Sequence, residues 1–197
     1  MSPAPLIGVL ALQGAVAEHQ QALHSVGADT RLVRRPAELE GLDGLIVPGG
    51  ESTAMARLAA ATGLLPAVRK HHDAGMAVFG TCAGLILLAN EVADGAALQG
   101  FDRIGGLDVA VRRNGYGGQV DSFTESLSVE GLDSSLQAVF IRAPIIDQVL
   151  SEDVQILAQA QGAAVAVRQG RLMATSFHPE LTDDARLHRV FIDIAAP

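Results

Sequence analysis

Met76-Ala77-Val78-Phe79-Gly80-Thr81-Cys82-Ala83-Gly84-Leu85-Ile86-Leu87-Leu88 decides the fold. Residues 76–79 form a short continuous apolar run, the pattern of a strand buried on both faces. A turn with glycines on either side follows, and an apolar helix begins just after Cys82. Strand, tight turn and helix in this order are one half of a β-α-β unit, and such units build a parallel sheet covered by helices.

The same alternation extends to both sides. Toward the N-terminus, residues 7–12 read as a buried strand. Residues 15–26 read as a helix, with Val16, Leu23 and Val26 near one face. Residues 30–33 and 44–47 read as further strands, the latter stopped by Pro48-Gly49-Gly50, and residues 52–61 and 64–73 as helices. Toward the C-terminus, residues 107–112, 123–129, 137–141, 154–160, 163–168 and 172–177 are short strand candidates. Gly162 and Gln169-Gly170 mark hairpin turns between them. Residues 182–194 close the chain as a helix, with Thr182 as N-cap and Asp183 and Asp184 suited to its positive start. Leu187, Val190, Phe191 and Ile194 give it a buried stripe. The expected architecture is α/β: a three-layer, doubly wound, mostly parallel but mixed sheet of the flavodoxin-like kind. Residues 1–197 are expected to form one domain, since no linker or repeat interrupts them.

Composition narrows the function classes. Apolar residues make up 49% of the chain, enough for a buried core. The net charge of −8 argues against a nucleic-acid partner, because phosphate backbones repel an acidic surface. The first apolar run, residues 6–12, lacks a basic leader and a cleavage site. No run approaches the roughly 20 residues that cross a bilayer. A soluble cytoplasmic protein with no membrane partner is expected. One cysteine makes neither an internal disulfide nor a multi-cysteine metal site.

That cysteine lies in Gly80-Thr81-Cys82-Ala83-Gly84, a G-x-C-x-G version of the nucleophile elbow. A strained turn presents the thiol, the helix start beneath it favours thiolate, and the Ala83 N–H points at a developing oxyanion. On the elbow alone, a buried structural cysteine is an equal reading.

A thiol nucleophile needs a base. Of the six histidines, His19 and His24 are placed on an exposed helix face, His71 and His72 on a solvated helix end, and His188 on the surface of the last helix. His178 differs: it follows a strand, Pro179 stops that strand, and Glu180 stands two residues on. In extended geometry both side chains point the same way, so the carboxylate orients the imidazole. A capping His-Pro turn is the competing reading and the commoner one for this tripeptide alone. A metal site is weaker still, for want of further ligands, and no metal or cofactor is expected. Val47-Pro48-Gly49-Gly50-Glu51-Ser52-Thr53 leaves a strand and enters a helix, with Ser52 placed to cap it. The Gly50 N–H would serve as the second oxyanion donor. An ordinary turn and a phosphate cradle are the rivals, although no G-x-x-x-x-G-K-[ST] pattern is present.

Taken together these segments resemble the class I (triad) glutamine amidotransferases. Within them the chain is similar to the family of glutaminase subunits of pyridoxal 5′-phosphate synthase. The resemblance is carried by residues 8–14, 48–53, 80–88, Arg113-Asn114 with residues 119–123, residues 140–144 and residues 176–181, in order along nearly the whole chain. It departs at Gly118, where a basic residue is expected, and at the glycine-rich Ile104-Gly105-Gly106. The resemblance implies hydrolysis of L-glutamine to glutamate and ammonia, with Cys82 attacking, His178 moving the protons and Glu180 orienting it. It implies that Gly50 and Ala83 hold the oxyanion, and that Glu51, Ser52, Arg113, Ile141 and Arg142 line or border the glutamine site. Gln13 would lie near that site and the partner interface. Because the glutaminase domain uses the whole chain, ammonia is expected to pass to a separate barrel-shaped synthase subunit in a hetero-oligomer, with little activity before docking.

Two alternatives compete with this. An elbow-cysteine hydrolase acting on peptides or glyoxals usually carries its histidine close to the elbow, whereas here it lies far down the chain. A flavodoxin-like binding module would keep Cys82 as a structural residue.

Overall fold

A computed structural model describes residues 4–113 and 122–196. The first part of the chain alternates as its apolar runs require: β1 (Leu6–Leu10), α1 (Val16–Ser25), β2 (Asp29–Val33), β3 (Gly44–Val47), α2 (Ser52–Ala60), α3 (Leu64–Asp73), β4 (Ala77–Thr81) and α4 (Ala83–Leu88). Then come β5 (Ala89–Val92), β6 (Leu107–Arg112), β7 (Ser122–Leu127), β8 (Leu136–Ile141), β9 (Ile145–Val149), β10 (Gln155–Ala160), β11 (Ala163–Gln169), β12 (Leu172–Thr175) and α5 (Arg186–Ala195).

Among the described residues, ten strands form one sheet in the order β2-β1-β3-β4-β12-β11-β9-β6-β5, with β10 also paired to β11. The run from β2 to β12 is parallel. From β12 onward the pairings of β11 with β12, β9 and β10, and of β6 with β9, are antiparallel. The hairpin β7-β8 stands as a separate two-stranded sheet.

The pleat of the central strands sorts their side chains into two cores. Val47 and Val78 face α2, α3 and α4. Ile7, Val9, Ile46 and Phe79 face α1, α5 and the β7-β8 hairpin. Both faces of the parallel half are covered, which is why its strands read as unbroken apolar runs. The expected α/β three-layer mixed sheet is what the chain forms.

Several local expectations need correction. The last helix starts at Arg186, not at residue 182. Residues Pro179–Leu181 form a 3-10 turn, and the Thr182 hydroxyl accepts the Asp184 N–H instead of capping α5. Strands β5 and β9 were not anticipated. β5 follows α4 without an intervening turn, and β9 follows Pro144 with two polar residues in its middle. His19 and His188 are fully buried, not on the surface. Asn114, Gly118, Gln119, Val120 and Asp121 lie outside the described residues. Gly105 and Gly106 adopt positive φ at the entry to β6, where the Gly106 N–H donates to the Asn90 side chain. No helix among the described residues is long and apolar enough to cross a membrane.

Candidate active site

β4 stops at Thr81, α4 starts at Ala83, and Cys82 makes the corner with φ 50° and ψ −103°. A non-glycine residue there is strained, and neighbouring structure must hold it. Its N–H donates to the Thr175 carbonyl of β12 at 2.8 Å. The flanking glycines explain themselves by packing. A Cβ on Gly80 would lie 2.6 Å from the Gly84 carbonyl carbon, and one on Gly84 would run into the Val47 carbonyl oxygen. Only without those carbons can α4 cross directly over β3 and β4.

His178 sits beyond the end of β12, with its N–H donating to the Val139 carbonyl of β8 at 2.9 Å. The separate hairpin thereby fixes the backbone of the histidine. Its Nδ1 is 2.7 Å from Glu180 Oε1, and the Glu180 side chain is fully buried. The carboxylate reaches the ring because Pro179 begins a 3-10 turn that folds Glu180 back, not because the two residues lie along an extended strand. Burial alone would lower the His178 pKa. Hydrogen bonds to Cys82 and Glu180, and the charges they carry, override it and raise the imidazole to about 10.

Gly49 closes over both groups. A Cβ there would collide with His178 Cε1 and lie 3.3 Å from Cys82 Cβ. The Gly49 N–H donates to Thr81 Oγ1 at 3.1 Å. The Gly14 backbone, at φ +98°, fits against the Gly49 carbonyl where no side chain has room. The adjacent Gln13 accepts the Glu51 N–H on its Oε1 at 3.1 Å, which ties the loop after β1 to the loop after β3.

These elements enclose a cavity of about 430 Å³. Cys82, Ala83 and His178 line one side, and Gln13, Gly50, Glu51 and Ser52 another. Arg113, Ile141 and Arg142 complete the wall, with the Ile141 carbonyl 3.9 Å from Cys82 Sγ. Arg142 is a second non-glycine residue at positive φ on this wall. Of the residues singled out in the sequence, Glu180 alone stands behind the cavity, reaching it through His178. Ile86 also lines the wall and was missed. It lies one helical turn beyond Cys82, and the i, i+4 spacing within α4 is the signal that would have found it.

The helix cap also differs from expectation. Glu51, not Ser52, caps α2, accepting from the N–H groups of Thr53 at 2.9 Å and Ala54 at 2.6 Å. The Arg113 guanidinium pairs with the same carboxylate at 3.0 Å. Partial burial works against the charged form, but these N–H groups and Arg113 hold the Glu51 carboxyl below its ordinary pKa. The Ser52 hydroxyl is buried at the cavity without a hydrogen-bond partner among the described residues. Among the described residues, no three or more His, Cys, Asp or Glu side chains gather where a metal ion would be held.

A thiol on a strained corner, an imidazolium oriented by a buried carboxylate, and a glycine loop across from the helix start can together attack a carbonyl carbon and protonate a leaving amine. Known proteins are similar to this chain along nearly its whole length. A pyridoxal 5′-phosphate synthase subunit PdxT from Mycolicibacterium vanbaalenii is 53% identical over 190 residues, covering 96% of this chain and 97% of its own. Its counterpart from Deinococcus radiodurans is also 53% identical over 190 residues, covering 96% of each chain. A crystal structure of a glutamine amidotransferase superposes with a TM-score of 0.89 at 49% identity, covering 96% of this chain and 98% of that one. A family model described as the SNO glutamine amidotransferase family matches residues 9–196. With that match spanning the elbow, the glycine loop and the His178-Glu180 turn alike, the chain belongs to the SNO glutamine amidotransferase family.

Proposed function

We propose that this chain hydrolyses L-glutamine to L-glutamate and ammonia through Cys82, His178 and Glu180, as one glutaminase domain acting in the cytoplasm. The observation that carries the reading is the 2.7 Å contact of His178 with the buried Glu180 beside the strained Cys82. Cys82 thiolate attacks the side-chain amide carbon of glutamine, and the oxyanion that forms is met by the N–H groups of Gly50 and Ala83. His178 gives its proton to the departing nitrogen, so ammonia leaves and a glutamyl thioester remains. His178, now neutral, takes a proton from water as the water attacks the thioester, and glutamate departs with the thiolate restored. Glu180 stabilises the imidazolium at both stages. Glu51, Ser52, Ile141 and the guanidinium groups of Arg113 and Arg142 border the space for the amino-acid end of glutamine. A guanidinium suits its α-carboxylate.

The names of the relatives support a destination for the ammonia. They are subunits of pyridoxal 5′-phosphate synthase, and the reading extends here to a separate synthase subunit that receives ammonia from this one. On this reading Gln13, tied to the glycine loop, lies near that junction. The paired assay decides: ammonia release from glutamine is measured with the purified chain alone and with the synthase subunit added. Activity that rises strongly on addition, and that Cys82→Ala abolishes, is expected. Full activity of the lone chain contradicts the partner dependence, and turnover by the Cys82→Ala protein contradicts the nucleophile.

A further inference from the structure

His19 lies on α1, is fully buried, and touches the carboxylate of Glu180 from the side away from His178. Its Nε2 is 3.5 Å from Glu180 Oε2 and 3.2 Å from Thr81 Oγ1. Its Nδ1 is 3.0 Å from Nε2 of His188, itself fully buried on α5. Glu180 Oε2 has no hydrogen-bond partner among the described residues, the 3.5 Å approach of His19 Nε2 being a contact and not a formed bond, and neither has His188 Nδ1. Two proton arrangements fit these distances. If His19 carries its proton on Nδ1, it donates to His188 Nε2. The His188 proton then sits on Nδ1 as a buried donor with no acceptor among the described residues, the Thr81 hydroxyl donates to His19 Nε2, and the lone pair there also faces the carboxylate. If His19 carries its proton on Nε2, His188 Nε2–H donates to His19 Nδ1. The Nε2–H then donates to Thr81 Oγ1 and faces Glu180 Oε2 at 3.5 Å, and the orphans left are the Thr81 hydroxyl proton and a lone pair on His188. Each arrangement strands one buried donor, so the carboxylate decides between them: facing a buried anion, a lone pair costs more than an N–H.

We propose that His19 is a positioning residue for the reaction: its Nε2–H holds the second oxygen of Glu180, so that Oε1 stays aimed at His178, and His188 sets the tautomer that makes this possible. The proposal rests on the Cys82-His178-Glu180 reading above. Burial, and the charges of His188 and His178, keep His19 well below its ordinary pKa, so it acts as a neutral donor and brings no second cation to the site. The groups facing it from every side are Glu180, His188, His178 and Thr81, and those facing His178 are Cys82, Glu180 and His19. The same ring reaches the glycine loop through Thr81, which accepts the Gly49 N–H.

The tautomer is read directly on the wild-type chain by ¹⁵N NMR of labelled histidines. A proton on His19 Nε2 with bare Nδ1 is expected, and the Nδ1–H form overturns the proposal. Activity is then read in the complex with the synthase subunit for His19→Phe and His19→Gln. The Phe variant is expected to lower kcat roughly 10–100-fold with KM for glutamine within about twofold, since it loses orientation and not substrate contact. A loosened Glu180 supports the imidazolium less, so the alkaline limb of the kcat profile is expected to move down by about one pH unit. Gln, which keeps a donor, is expected to restore most of both. An active wild-type complex whose Phe variant keeps its kcat and its alkaline limb overturns this role alone. So do equal losses in both variants with an unmoved limb. A wild-type complex that releases no ammonia overturns the glutaminase reading, and this one with it.

Discussion

His178 and His188 are both buried, yet their surroundings drive them to opposite charge states. Burial is the largest influence on each, and it favours the neutral ring. At His188 nothing opposes it and the pKa falls to about 4. At His178 the hydrogen bonds and charges of Cys82 and Glu180 reverse it and the pKa rises to about 10. The difference teaches that depth alone does not decide the charge of an imidazole. The anion it touches does. Between the two stands Glu180, with one oxygen on His178 and the other toward His19, which passes the contact on to His188.

The largest effect is expected from breaking the charged side of this pair. Glu180→Gln keeps the shape of the side chain and removes its charge. The His178 imidazolium loses its buried counter-ion, and kcat in the synthase complex is expected to fall by up to about 10⁴-fold, the loss when a triad carboxylate becomes an amide. The same change has a stability signature. A histidine raised from 6.5 to about 10 on folding contributes stability that is full below 6.5 and lost as pH rises through about 10. Denaturant midpoints measured from pH 7 to 10 are expected to decline in the wild type and to flatten in the Gln variant. A variant with wild-type turnover would remove Glu180 from the reaction.

The neutral side breaks in the other direction of pH. His188 falls from 6.5 to about 4 on folding, so below 6.5 the unfolded chain takes up a proton that the folded chain refuses. Stability from this residue is full above 6.5 and is lost as pH falls toward 4, by up to about 3 kcal/mol at roughly 1.4 kcal/mol per unit. His188→Phe suits a site already lined by Phe79 and is expected to make the acid decline shallower, though not flat. His19, whose pKa is lowered in the same sense, retains its own part. An acid slope unchanged in this variant would mean that His188 is not held neutral.

How much of this was legible in the sequence follows the range of the interactions involved. The parallel half was, because a strand buried on both faces writes itself as a local apolar run, as in β3 and β4. The elbow was, because Gly80 and Gly84 clear space for neighbours a few residues away. His178 and Glu180 were linked correctly, but through the wrong geometry, since the fold-back at Pro179 does not announce itself in the tripeptide. The burial of His19 and His188 was not legible. α1 carries Glu18, His19, Gln20 and Gln21 in succession and reads as solvated. What draws His19 inward is a partner 169 residues away and a hydroxyl on β4. The collar of Gly49 around His178 was hidden for the same reason: its neighbour lies on another strand's exit. Polar contacts between remote segments leave no period in a sequence.

The smallest effect tests the joint between the two histidine environments. Thr81 is fully buried at the end of β4, where its hydroxyl accepts the Gly49 N–H and faces His19 Nε2. Thr81→Val keeps the volume and the β-branch and deletes only the hydroxyl, so it leaves the Gly49 N–H without its acceptor. Such an orphan costs about 1–3 kcal/mol, and about 1 kcal/mol is expected here, because the glycine loop borders the cavity and can shift toward its water. With the hydroxyl gone, the Nε2–H of His19 has only Glu180 Oε2 to bond. The contact that orients the carboxylate is then strengthened while the loop that covers His178 is loosened. Thermal unfolding is expected to show the small loss. The alkaline limb of the kcat profile is expected to stay in place or move slightly upward, opposite to the His19→Phe change. A downward shift in Thr81→Val would mean that the hydroxyl, and not the carboxylate, is the partner His19 needs.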